Sequence, residues 1–223
     1  MRLNPIFAGI IGILALACAA HAGPVEAVGL KIGVSRARQT LTDITTTRTY
    51  DFRTGASLGL FARWLPVGPF SLVTEASFVE KGNMREVRDE TGEMAVLPGR
   101  YETVVRYLSF PMLVRFGHRF GPLEPYAFAG PRVDVLLDTG KTWYEWDDGY
   151  QSTVWGLEAG AGASLSLNPR LAVSLEARYG HDLTDAARTR SVKFNEIGEI
   201  EAVGTASLRN ISWQVLYGVS WRL

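Results

Sequence analysis

His181 and Asp182 are the adjacent pair in this sequence best suited to acid–base chemistry. A hydrolase acting on lipid or peptide would use such a histidine as base, with a serine close by and a carboxylate to orient the ring. No serine follows His181 closely. Glu158 and Glu176 are carboxylates that could approach it in space, and Asp147 with Asp148 is the acid pair a rim protease would need. The plainer reading is a polar histidine at a strand rim, because structural polar clusters mimic active sites. His118 reads as a solvated turn residue. The single cysteine is Cys18, no spacing matches a calcium loop, and no G-x-x-x-x-G-K-[ST] phosphate cradle occurs. The chain is expected to be no enzyme and to need no metal or cofactor, with a small rim-site hydrolase as the alternative.

Two further groups carry a possible function. The aromatic and acidic run Trp143-Tyr144-Glu145-Trp146-Asp147-Asp148, with Tyr150, would suit contact with a sugar, a protein or a cation if exposed. Its competing reading is an aromatic girdle at a membrane interface. The second group is Lys31, Glu75, Arg132, Asp134, Glu158, Glu176 and Arg178. Each falls on the polar side of an alternating segment. Such charges either line a narrow pore or pair with one another and plug it, and their mixed signs favour the plug.

The segments that would hold these residues are strands. From Ile211 to Leu223 every second residue is apolar, which puts two chemically different faces on one long strand. The same period of two runs through Val28 to Ser35, Phe52 to Leu65, Ser71 to Phe78, Tyr107 to Phe116, Ala127 to Val135, Gly156 to Leu165 and Leu171 to Gly180. Lys81-Gly82 is expected to end the third strand, and Pro111 to force a bulge or break in the fourth. Short turns at residues 66–69, 117–124 and 168–170 alternate with long loops at 36–50, 83–102, 138–153 and 183–207. This is the layout of an outer-membrane barrel, with tight turns on the periplasmic side and long loops outside. The polar face is mostly Gly, Ser and Ala, which suits a narrow interior, and Trp64, Phe116, Tyr179 and Trp221 stand near strand ends like an interfacial girdle. The expected fold is all-β, an eight-stranded antiparallel up-and-down transmembrane β-barrel.

Whole-chain features agree. The 23 basic and 23 acidic residues cancel, so nothing recruits nucleic acid. Arg2, the apolar run Ile6 to Ala20 and Ala20-His21-Ala22 read as a signal peptide over residues 1–22, cleaved to leave the barrel at 23–223.

Tyr107-Leu108-Ser109-Phe110-Pro111, Pro125-Tyr126 with Ala129-Gly130-Pro131, and the closing strand resemble the outer-membrane β-barrel domain proteins often labelled porin family. The resemblance spans most of the mature chain, but its motifs are loose and mark a fold more than an activity. It implies an eight-stranded barrel in the outer membrane of a Gram-negative bacterium, with no activity assigned. The assembly machinery that inserts such barrels commonly reads a terminal aromatic residue; here the last residue is Leu223, with Trp221 two positions earlier. The expected function is structural or surface-interacting, exercised through four long extracellular loops. The expected partners are the lipid bilayer, the assembly machinery and an extracellular ligand or protein. A narrow pore is a further alternative.

Overall fold

The structure, a computed structural model, describes residues 25–43, 47–64, 67–87, 99–140, 149–194 and 200–223. The segment read as a signal peptide lies outside the described residues. Ten strands follow one another: β1 (Val25–Thr42), β2 (Thr47–Thr49), β3 (Asp51–Trp64), β4 (Phe70–Val87), β5 (Gly99–Gly117), β6 (Leu123–Thr139), β7 (Thr153–Ser166), β8 (Leu171–Asp182), β9 (Ala187–Phe194) and β10 (Ile200–Arg222). Strands β1, β3 to β8 and β10 pair antiparallel in sequence order, and β10 returns to pair with β1 from Ala27–Arg222 to Thr42–Ser207. That last ladder closes an eight-stranded barrel. β2 and β9 are short additions on the extracellular ends of β1 and β10.

The two-residue period decides which side chains meet lipid. On β10, Tyr217 is 65% exposed while its neighbour Leu216 is 3% exposed. The rest of that outer face is Trp213, Val215, Val219 and Trp221, and on β1 it is Val28, Leu30, Ile32 and Val34. From Trp221 to Ile211 the outer face of β10 stays apolar. At about 3.4 Å per residue and a tilt of about 40°, that run is about 26 Å tall, against about 25 Å for the apolar band of an outer-membrane barrel.

Two of the three tight turns share one solution. Gly68 has φ 63° and is followed by Pro69, and Gly121 has φ 62° and is followed by Pro122. A left-handed first position followed by proline is a type II′ hairpin, which matches the twist of the strands it joins. The third turn rests on Asn168, whose Oδ1 accepts from the backbone N–H of Arg170 and Leu171.

The strands overrun their expected ends on the extracellular side. β1 continues to Thr42, β4 to Val87, and β5 begins at Gly99, so much of the expected loops is strand. Lys81-Gly82 does not end β4. Gly82 has φ 134°, a conformation open to glycine, and it lets the strand continue past the register shift between β3 and β4. The fourth expected loop holds β9, which forms a hairpin with the first part of β10. At Pro111 the β4–β5 ladder has the expected local break but no bulge: Glu75–Pro111 and Ala76–Phe110 do not pair, and Thr74–Met112 and Ser77–Ser109 keep one register on either side.

Close strand approach also depends on Gly33, where a Cβ would stand 1.9 Å from the Val215 carbonyl oxygen at the closing seam. Gly33→Ala is therefore expected to lower the temperature at which the barrel loses its SDS-resistant, fast-migrating gel band. Overpacking of this kind costs about 1–3 kcal/mol.

Candidate functional site

Inward-facing charges from strands far apart in sequence meet inside the barrel. Arg178 on β8 is central. Its Nη1 donates to Glu75 of β4 and to Glu158 of β7, each at 2.8 Å, and its Nη2 donates to Glu75 at 2.9 Å and to Glu176. Lys31 of β1 adds ion pairs to Glu75 at 2.5 Å and Glu176 at 2.9 Å. Glu176 also accepts from the Tyr126 hydroxyl at 2.7 Å. One cluster thereby ties β1, β4, β6, β7 and β8 together across the lumen.

A second cluster lies on its extracellular side. Arg132 pairs with Asp134 at 3.0 Å and with Asp182 at 2.6 Å, and Lys81 donates to Asp134 at 2.5 Å. Arg132 also reaches Glu158 at 3.7 Å, which joins the two clusters. Asp182 accepts in turn from the backbone and side-chain nitrogens of Asn210, and a chain of amides continues through Gln39 to Asn83. All of these side chains are buried, Arg132 at 1% exposure.

Apolar layers bound the charged ones. On the periplasmic side Phe61, Val73, Leu113, Tyr126 and Phe128 pack together. At the extracellular end Val105, Tyr107, Val154 and Ala186 form a cap against which Leu136 and Tyr150 pack. Below the lower layer a third ionic group joins Arg63 to Glu26 at 2.9 Å and Arg115 to Glu124 at 2.6 Å. The lumen is thus filled in alternating charged and apolar storeys, as a barrel of eight strands requires.

Lys31, Glu75, Arg132, Asp134, Glu158, Glu176 and Arg178 all lie in these two clusters. Lys81, Asp182, Gln39, Asn83 and Asn210 belong with them but are absent from the charge group read from the sequence, which placed Asp182 at the rim beside His181 and Lys81 at a strand end. Extending the two-residue count from Glu75 to residue 81 and from Glu176 to residue 182 would have found the first two.

Among the described residues the hydrolase arrangement does not form. His181 pairs across the sheet with Leu157 and Ile211 on the outer face, whereas Glu158 and Glu176 point into the lumen. Alternation along a strand holds them on opposite sides of the wall. Asp147 and Asp148 lie outside the described residues. So do Trp143, Tyr144 and Trp146. Tyr150 is half-buried, bridges to Ala187 and packs against the apolar cap at the extracellular end of the lumen.

Above the band, Asp185 in the β8–β9 connection accepts from Arg209 and Arg188, each at 2.7 Å. Burial alone would raise its pKa; the two arginines outweigh that and hold the carboxyl below its usual range.

Removing Arg178 would leave Glu75, Glu158 and Glu176 short of a buried cation. Arg178→Met is expected to cost about 3–5 kcal/mol in a denaturant titration of the folded barrel. Adding Glu158→Gln should recover part of that loss, because one of the stranded charges is then removed.

Comparison with known proteins agrees with the geometry. A family model described as outer membrane protein β-barrel domain matches residues 26–188. The fold is similar to the outer membrane protein OprG from Pseudomonas aeruginosa, with a TM-score of 0.54 at 13% identity, covering 91% of this chain and 98% of that one. It is also similar to Escherichia coli outer membrane protein W, with a TM-score of 0.46 at 16% identity, covering 91% and 100%. No curated protein matches the sequence. Since the family model covers well over half of the sequence, this chain belongs to the outer membrane protein β-barrel domain family and resides in the outer membrane.

Proposed function

We propose that the protein is a closed, non-enzymatic barrel with a structural or surface-interacting role, exercised from its extracellular end and not through its lumen. One observation carries this reading: the two joined ion clusters, from Lys31 to Asp182, span the lumen with partners on most strands of the barrel. A path for water or solute would have to separate Arg178 and Arg132 from carboxylates that they hold in a buried, low-dielectric space. Separating such pairs without replacement partners is costly.

The extracellular end is the remaining place for recognition. Its strands rise past the apolar band as paired ribbons, and the aromatic and acidic run from Trp143 to Asp148 belongs to the connection between β6 and β7. In this reading its partners are the bilayer, the machinery that assembles barrels in the outer membrane, and a ligand or protein met outside.

Planar-bilayer recording on the purified protein tests the closed lumen. No resolved conductance steps are expected. Reproducible single-channel steps would replace this reading with that of a narrow pore.

A further inference from the structure

The outer wall carries a cationic patch that the lumen does not explain. Arg36 and Arg38 follow Ile32 and Val34 on the lipid-facing side of β1. Across the closing seam Arg36 stands opposite Trp213, Arg38 opposite Ile211 and Thr40 opposite Arg209. Arg209 is therefore a diagonal neighbour of Arg38 on the same face. Arg188 continues the row beside Ser207. The patch begins at the level of the Tyr179–Trp213 ring pair, whose centroids are 4.8 Å apart, and so at the upper edge of the apolar band.

Among the described residues its charge is not balanced. Asp185 serves both Arg188 and Arg209. Arg36 and Arg38 instead stack on one ring, Phe52, at 5.1 and 4.9 Å, and neither forms an ion pair among the described residues. Arg38 Nε is buried without a hydrogen-bond acceptor. Sharing one ring holds the two guanidinium carbons no more than 10 Å apart, about one screening length at 0.1 M salt, so they repel. Elsewhere on the same rim the charge is self-contained: Arg106 binds Glu80 at 3.2 Å and Asp138 at 2.7 Å.

We propose that Arg36, Arg38 and Arg209 form a binding site for the phosphate headgroup of an outer-leaflet lipid. A phosphate accepts paired N–H bonds from guanidinium groups and offsets their repulsion. The lower border of the site favours a lipid over a free anion. Ile32, Val34 and Val215 lie immediately below the arginines and are exposed, which gives acyl chains an apolar wall continuous with the headgroup site.

Native mass spectrometry of the purified protein in mixed micelles tests this, with phosphatidic acid and phosphatidylcholine of the same acyl chains as probes. The wild type should retain phosphatidic acid about tenfold better, the gain expected of one or two charge-assisted hydrogen bonds. Arg36→Gln/Arg38→Gln should lose that preference, and Arg106→Gln should keep it. Equal retention of the two lipids, or an undiminished preference in the double variant, would overturn the proposal. Displacement of phosphatidic acid by inorganic phosphate at equal concentration would also overturn it, by showing an anion site with no need of a lipid. Should the double variant fail to give an SDS-resistant band, the wild type alone decides: its preference should collapse at high salt, and a salt-independent preference counts against the site.

Discussion

The guanidinium of Arg178 sits where β4, β7 and β8 face one another, and the central charged layer of the lumen depends on the carboxylates it gathers there. Buried ion pairs of this kind are weak evidence for net stability, because removing charges from water offsets much of their attraction. Their stronger effect is on register. A slip of one residue on β8 would turn Glu176 and Arg178 outward into hydrocarbon, where a basic side chain costs about 2–4 kcal/mol at mid-depth. The same holds for Glu75 on β4 and for Arg132 with Asp134 on β6. Each strand thus carries a penalty against misregistration that its small glycine and serine residues could not provide.

How far the fold can be read from the sequence follows from where its two faces differ. Within the bilayer one face meets lipid and the other a packed lumen, so the apolar alternation is sharp and the eight barrel strands stand out. Above the bilayer both faces are polar. The segments 36–42, 83–87 and 99–106 keep their backbone pairing, but their sequence no longer alternates between apolar and polar residues, and they read as loops. β9 and the first part of β10 are lost for the same reason. Gly82 adds a second cause, since a glycine after lysine ordinarily marks a strand end, and only its φ of 134° shows that it carries the strand onward.

The candidate site divides along a similar line. Which charges face inward is a matter of parity and is legible from one strand at a time. Lys81 and Asp182 escape only because their strands are cut short. Which charges meet is a different question. Glu75 and Arg178 are 103 residues apart and belong to strands that are not neighbours in the sheet. Their contact comes from closure across a narrow lumen, and no local pattern encodes it. His181 has the opposite character: parity alone, applied from Leu171 onward, puts it on the outer face with Tyr179, away from Glu158 and Glu176.

Inside and outside, the same residue type meets opposite conditions. In the lumen each of Arg132 and Arg178 is buried and faces several carboxylates, which neutralise it. On the wall at the β1–β10 seam the chain supplies Arg36 and Arg38 with an aromatic ring and no described acid. A water-facing surface would tolerate that imbalance through counter-ions. These arginines stand instead at the edge of the apolar band, with Trp213 and Ile211 opposite them across the seam. There the headgroup layer is the nearest source of negative charge. The barrel therefore neutralises its interior from its own sequence and leaves one strip of its exterior for the membrane to complete.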